Sequence, residues 1–140
     1  MQTFLPYAMF YASAACLDRA RLGKQRVEAW QVVRAIRGET RGWVSHPAAK
    51  MWRGHEHALA HYGLAMCREW TARGYADSLA PRFADIVRGE PLREHHIPPW
   101  LGDAALHASH RSNLLRKLPA HYGALGWSEP NDLPYVWPVP

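Results

Sequence analysis

Cysteine is scarce in this chain of 140 residues, which contains only Cys16 and Cys67. The pair matches neither a metal-binding spacing nor a Cys-x-x-Cys redox motif, and both residues fall among apolar or small neighbours. We therefore expect two buried free thiols rather than a disulfide. Free thiols suit a reducing compartment, so the expected location is the cytoplasm.

Long apolar segments are missing as well. No stretch approaches the roughly 18 apolar residues that a membrane-spanning helix needs. The first residues lack a positively charged region and are interrupted by Pro6, so no signal peptide is expected. The phosphate-binding loop, the dinucleotide-binding glycine motif and the GxSxG motif are also absent. The sequence thus gives no sign of a membrane protein, a nucleotide-binding enzyme or a serine hydrolase.

Acidic residues are fewer than basic ones. The chain has 12 Asp and Glu against 17 Lys and Arg, giving a formal net charge of +5 and a pI near 9.6. This balance favours a polyanionic partner, either nucleic acid or an anionic membrane surface. The seven tryptophans are many for this length. They suit base stacking, although core packing is their commoner use.

Strand-like alternation of apolar and polar residues is not sustained anywhere, whereas helical periods are frequent. The predicted class is all-α, with three main helices crossing around one core. Asp103 and Ser45 are the candidate N-caps. The helical patterns predict Phe10–Arg37 with a possible break near Gly23, Ala48–Arg73, a short helix over Leu79–Arg88, and a last helix from Asp103 to before Pro119.

The length of the chain suits a single domain with one core. Residues 1–127 are expected to form the helical domain. The remaining residues, 128–140, contain four of the eleven prolines and cannot be helical. This tail is expected to pack on the same domain in an extended form.

Glu28 is the only carboxylate between Asp18 and Glu39, in a segment that carries six Lys and Arg. At about 100° per residue, it shares one arc of a helix with Arg21 and Lys24. A single acid within a cationic stripe indicates a chemical role. The alternative is an ordinary ion pair with Lys24, worth about 0.2–0.5 kcal/mol.

The last long helix carries a second candidate face, rich in hydroxyl, amide and cationic side chains. Such groups typically contact nucleic-acid phosphates. The alternative is a solvated polar face without a ligand. The candidate nucleic-acid contacts in this helix are His110, Arg111, Ser112, Asn113, Arg116 and Lys117.

Nine histidines are present, and two of them suggest half of a metal site, because His57 and His61 lie one helical turn apart. Glu56 is not in the position that an HExxH motif requires. His46, at a loop-to-helix junction, is a candidate either for capping or for binding phosphate. No metal or cofactor is expected. A metal-dependent hydrolase built on histidines is kept as an alternative, in which His57 and His61 would be joined by a third ligand from His95, His96, His107 or His110.

Three stretches together resemble one known family. They are LDRARLGKQRVEAWQVVRAIRGETRGWVSHP, MWRGHEHALAHYGLAMCREWTARGY, and HRSNLLRK followed by HYGALGW. They are similar to the pyrimidine-dimer DNA glycosylases of the phage endonuclease V type, and most similar to the bacterial and phage branch. The resemblance covers most of residues 1–127. It implies a compact all-α fold, excision of one base of a UV dimer, cleavage of the abasic strand, and no metal.

The resemblance also implies a set of site residues. In the family, the N-terminal α-amine forms an imine with C1′ of the sugar, assisted by a glutamate on the first long helix. That glutamate matches Glu28, and Arg21, Lys24 and Arg26 fall where the family binds phosphates. An α-amine titrates near pH ~7.7–8, so part of it is neutral and nucleophilic at pH 7.

The sequence departs from the family at its second residue. Characterised members expose a small residue there after the initiator methionine is removed, whereas the bulk of Gln2 should block that removal. Either Met1 supplies the amine, or the scaffold only binds DNA. The catalytic candidates are therefore Met1, Gln2 and Glu28. The expected partner is double-stranded DNA, with no membrane and no obligate protein partner. The target is a UV dimer or another modified base, and a flipped base would stack on Trp30, Trp43 or Trp52.

Overall fold

The computed structural model describes residues 1–139, and its regular structure over that range is entirely helical, which confirms the predicted all-α class. Two short 3-10 helices, Glu94–His96 and Gly123–Leu125, lie near the last α-helices. Pro140, the last residue of the predicted tail, lies outside the described residues. The α-helices within this range are α1 Phe10–Cys16, α2 Arg19–Ile36, α3 Pro47–Trp52, α4 Glu56–Ala72, α5 Ala80–Val87, α6 Ala104–Lys117 and α7 Pro119–Tyr122.

The first predicted helix is in fact two helices, and the break is not at Gly23. It falls at Leu17 and Asp18, where Asp18 is extended and its carboxylate accepts the Arg21 backbone N–H as an N-cap. Gly23 remains inside α2, where its lack of a side chain makes room for Trp70. A Cβ on Gly23 would lie 2.8 Å from the Trp70 ring.

The second predicted helix is also divided. Helix α3 ends at Trp52 and α4 begins at Glu56, because Gly54 adopts a φ of +85° that favours glycine and turns the chain. The N-cap of α3 is His46 and not Ser45, so that prediction is wrong. The neutral His46 ring offers an acceptor nitrogen, so it can cap the helix as the hydroxyl of Ser45 was expected to do.

The later helices agree with the sequence patterns. Helix α5 covers Ala80–Val87, inside the predicted short helix. Helix α6 starts directly after Asp103, whose carboxylate accepts the backbone N–H of Ala105 and Leu106, and it ends before Pro119. These boundaries were predictable because the caps and the proline act locally.

Helix α4 forms the centre of the molecule and packs against α1, α2 and α5. The helical period of the sequence predicts a core stripe at Trp52, His55, Leu59, Tyr62, Met66 and Trp70. His55 and Trp70 are only half-buried. The remaining positions of the stripe are fully buried, which confirms it at Trp52, Leu59, Tyr62 and Met66.

The two cysteines are free, as predicted, although Cys16 is only half-buried. Burial raises the pKa of both thiols to about 12, so neither is a reactive thiolate at neutral pH. Over residues 1–139, no helix has the length and apolar character needed to cross a bilayer.

Candidate active site

Residues 2–6 form a buried segment before α1 whose backbone is held by side chains. The Phe4 N–H donates to Gln25 Oε1 at 2.8 Å, and the Leu5 N–H donates to His110 Nδ1 at 2.8 Å. His107 Nδ1 lies 2.7 Å from the Leu5 carbonyl oxygen. Buried backbone groups need such partners. The segment is therefore fixed by both α2 and α6.

Gln25 connects this segment to α2. Its Nε2 donates to the Gln2 carbonyl at 2.9 Å and to Glu28 Oε2 at 3.0 Å. Its Oε1 accepts from the Tyr62 hydroxyl at 2.6 Å, as well as from Phe4. Sequence analysis did not single out this residue. The available signal was its polar side chain on the face of α2 that is otherwise apolar and buried.

The Glu28 carboxylate lies directly against the start of the chain. Its Oε2 accepts the Gln2 backbone N–H at 3.3 Å, and its Oε1 lies 3.6 Å from Lys24 Nζ. The Glu28 side chain is 12% exposed, whereas that of Lys24 is 73% exposed. The predicted ion pair therefore exists, but its acid is also hydrogen-bonded to two groups of the N-terminal network. A bare surface pair would not explain that arrangement.

An open cavity of about 430 Å³ lies beside this carboxylate. Three of the lining side chains are cationic, and Glu28 is the one acid among the lining residues. The cavity therefore combines a carboxylate with groups that attract phosphates. Its walls are formed by Met1, Gln2, Phe4, Ala20, Arg21, Lys24, Gln25, Glu28, Lys117 and Tyr135.

His46 lies within the electrostatic reach of the same site. Its Nδ1 accepts the Ala48 N–H at 3.0 Å and caps α3, so of the two predicted roles the structure shows capping. Burial and the positive charge of the N-terminal amine lower its pKa, and Glu28 partly opposes the shift. The ring is therefore neutral at pH 7.

The family model described as pyrimidine dimer DNA glycosylase matches residues 1–80. The chain belongs to this family. Neither the search of curated proteins nor the search of solved structures finds a match. The residues matched to the glycosylase family contain the N-terminal segment, Gln25 and Glu28. Lys117 and Tyr135, which also line the cavity, lie outside that range.

The two arginine contacts predicted on α2 of this glycosylase-family member differ in their surroundings. Arg21 lines the cavity, although its guanidinium lies 3.3 Å from the Asp18 carboxylate. Arg26 forms an ion pair with Asp77, whose side chain is 2% exposed, and stacks on Trp70. The Arg26 charge is thus paired within the fold, and its contact with phosphate stays a prediction.

The polar face of α6 is covered by the tail. Ser112 Oγ donates to the Pro130 carbonyl at 2.5 Å and accepts the Leu133 N–H at 3.0 Å, while Asn113 Nδ2 donates to the Leu133 carbonyl at 3.1 Å. Both side chains and His110 are at most 1% exposed. The predicted DNA contacts at His110, Ser112 and Asn113 are corrected accordingly: these groups hold the tail and the N-terminal segment.

The cations of α6 are divided between the tail and the cavity. Arg111 Nε lies 2.5 Å from a carboxylate oxygen of Glu129, and Arg116 donates to the Asn131 carbonyl at 2.9 Å. Arg111 thus forms an ion pair within the protein, as Arg21 does with Asp18, and its contact with phosphate stays a prediction. Arg116 remains exposed, while Lys117 lines the cavity.

A row of aromatic rings connects the tail to the loop before α3. Trp43 packs edge-on to His46 with ring centroids 5.3 Å apart, and His46 packs on Trp137 at 5.8 Å. The ring centroids of Trp137 and Tyr135 are 5.8 Å apart, and Tyr135 lines the cavity. Trp43 is 38% exposed, whereas Trp52 is fully buried. Trp52 is therefore a core residue and not a stacking surface.

Proposed function

We propose that the protein is a DNA glycosylase with an abasic-site lyase step, acting on a damaged or modified base through an N-terminal amine and Glu28. One observation carries this proposal. The Glu28 carboxylate is hydrogen-bonded at 3.3 Å to the backbone nitrogen of Gln2, beside a cavity that Met1 also lines. An amine on Met1, or on Gln2 if Met1 is removed, would begin next to this carboxylate.

The chemistry follows from these two groups. The neutral amine attacks C1′ of the sugar, the new N–C1′ bond forms and the bond from C1′ to the base breaks. The departing base takes up a proton, and the sugar ring opens to leave an imine. Glu28 stabilises the cationic sugar and carries protons. Loss of a C2′ proton then breaks the C3′–O bond, and water releases the amine.

The charges around the cavity favour a duplex substrate. Lys24 and Lys117 are exposed at its edge, and the whole chain carries a net charge of +5. Neutralising phosphates with such side chains releases counterions and gives salt-sensitive affinity. Arg21 adds a third cation to the lining. We assign phosphate binding to these three residues.

The aromatic row supplies a surface for an unstacked base. Tyr135 lies in the cavity wall, and Trp43 is exposed at the other end of the row. An enzyme that acts on a base within a duplex must first extrude it, and aromatic faces stabilise the extruded base. We expect Tyr135 to contact the flipped nucleotide.

The proposal is tested by trapping the imine. The protein is incubated with duplexes that contain an abasic site or a UV dimer, and borohydride is added. We expect a covalent adduct whose intact mass and peptide map identify Met1 or Gln2 as the linked residue. Glu28→Gln should form the adduct at least about 100-fold more slowly. Glu39→Gln is the matched control, because Glu39 is an exposed carboxylate paired with Arg34 outside the cavity.

Three other outcomes are informative. An adduct on the abasic duplex alone would retain the lyase step and exclude the dimer as the substrate. An adduct that survives chemical blocking of the N-terminal amine would contradict the assigned nucleophile. No adduct on either duplex, with salt-sensitive binding intact in Glu28→Gln, would refute the proposed reaction and favour a DNA-binding protein without catalysis.

A further inference from the structure

A second cluster of reactive side chains lies away from the candidate active site and shares no residue with its cavity. His57 and His61 occupy the first two turns of α4, and Glu90 and His96 come from the segment between α5 and α6. The ligand atoms of His57, Glu90 and His96 all lie within 4.8 Å of one another. The cluster joins the centre of the fold to a segment with little regular structure.

The spacing of the nitrogen atoms matches that of two ligands on one ion. The Nε2 atoms of His57 and His61 are 3.2 Å apart. Two imidazole nitrogens at 2.0–2.1 Å from a tetrahedral zinc would be about 3.4 Å apart. His96 Nε2 lies 3.8 Å from the Glu90 carboxylate, and the rings of His57 and His96 stack at 3.9 Å. His61 Nε2 lies beside these three ligand atoms and is 3.0 Å from the backbone carbonyl oxygen of Glu90.

We propose that His57, His61, Glu90 and His96 bind one transition-metal ion of the Zn²⁺ type. Imidazole and carboxylate donors suit this class of ion. The proposal concerns a structural site that fastens the segment after α5 to α4, and it is independent of the metal-free reaction proposed above.

Binding requires a change of proton position at His96. The Arg93 N–H donates to His96 Nδ1 at 3.0 Å, so the neutral ring carries its proton on Nε2. An ion on Nε2 moves the proton to Nδ1 and breaks the bond from Arg93. The loss of one such bond weakens binding by about tenfold. The backbone amide of Arg93 should therefore change its NMR shift when the metal binds.

The test uses the full chain without a polyhistidine tag and Zn²⁺ alone. Calorimetry should give one ion per chain, and the melting temperature should rise with the Zn²⁺ concentration. Glu90→Gln is the first variant, because Glu90 is exposed and its replacement should leave the fold intact. Glu90→Gln and His96→Gln should each weaken Zn²⁺ binding at least about tenfold. Circular dichroism checks that each variant is folded.

His121→Gln is the matched control, since His121 is exposed on α7 and lies outside the cluster, whereas the His95 ring packs on His96 with ring centroids 3.9 Å apart. It should bind Zn²⁺ as the original chain does. Absence of saturable one-to-one binding would overturn the proposal. So would unchanged affinity in both ligand variants, or an equal loss in His121→Gln, which would indicate general binding to surface histidines. Imine trapping is unaffected by these outcomes, so failure here leaves the proposed reaction standing.

Discussion

Gln25 joins three parts of the molecule through one side-chain amide. It hydrogen-bonds the backbone of Gln2 and Phe4, the hydroxyl of Tyr62 on α4, and the Glu28 carboxylate. Each of these partners is buried or nearly so. The amide therefore determines the distance between the start of the chain and the candidate catalytic acid.

Replacing Gln25 with Leu should be costly. The buried Phe4 N–H and the Gln2 carbonyl would lose partners, at about 1–3 kcal/mol for each unsatisfied group. We expect urea denaturation to show a free energy of unfolding lower by about 2–4 kcal/mol. The control is Gln31→Leu on the same helix, half-buried, with an expected change within about 0.5 kcal/mol. Equal effects of the two substitutions would show that Gln25 has no special role.

At the scale of helices, close approach depends on two glycines in the packed faces of α2 and α4. Gly23 lies under Trp70, and Gly63 lies under Phe83. A Cβ on Gly63 would be 2.4 Å from the Phe83 ring, against 2.8 Å between a Cβ on Gly23 and Trp70. Phe83 is fully buried, while Trp70 is half-buried and has more room to move.

Gly63→Ala should therefore destabilise the protein even though alanine is the better helix former by about 1 kcal/mol. Displacing Phe83 from a closed core costs about 1–3 kcal/mol, which exceeds that gain at the upper end of the range. We expect a lower melting temperature for Gly63→Ala than for Gly23→Ala. Thermal denaturation of the two variants, followed by circular dichroism, makes the comparison. The reverse order would mean that the α4–α5 contact is more adaptable than the α2–α4 contact.

At the scale of the whole molecule, the net charge is +5, and the basic side chains fall into two groups: some form internal ion pairs and others line the cavity. Arg26 and Arg111 are paired with acids inside the fold, whereas Lys24 and Lys117 line the cavity with exposed side chains. Only cations with access to solvent can release counterions from DNA. Affinity for duplex should therefore depend on a few lysines rather than on the basic residues as a group.

Removal of these lysines tests that distribution. Lys24→Ala and Lys117→Ala should each weaken duplex binding and reduce the slope of log K against log salt by about 1. The measurement is fluorescence anisotropy of a labelled duplex over a range of salt concentrations. Lys50→Ala is the control, since Lys50 is exposed on α3 and does not line the cavity. An equal loss in the control would indicate binding by diffuse charge alone.

Stability should also depend on pH through His110. Burial, together with the nearby His107, lowers the pKa of His110 to about 3, and its Nδ1 already accepts the Leu5 N–H. The unfolded chain has a histidine pKa near ~6.5 and binds a proton first as the pH falls. The unfolded state then holds more protons than the native state, so stability decreases by about 1.4 kcal/mol per pH unit below pH ~6.5 and down to pH ~3.

His110→Asn isolates this contribution, because the amide oxygen of Asn can accept the Leu5 N–H without titrating. We expect the variant to lose less stability than the original chain between pH 6 and 4.5, as measured by urea denaturation at each pH. His121→Asn controls for the loss of an exposed histidine. Parallel pH dependences in the original chain and in His110→Asn would contradict the assigned cause.

The amino-acid sequence by itself determined the helical class, the N-cap and the end of α6, four of the six positions of the predicted core stripe, and the candidate acid Glu28. These features depend on short-range periodicity and on single residues such as Asp103, whose effect is local. The sequence also carried the family pattern of residues 1–80.

Only the tertiary structure decided which polar groups face solvent. Ser112 and Asn113 have the composition of a phosphate-binding face, but the tail covers them, and Asp77 pairs with Arg26 from 51 positions away. Tyr135 lines the cavity because the tail folds back over the helices. The period of a helix tells which residues share a face, whereas what covers that face depends on contacts between residues far apart in the chain.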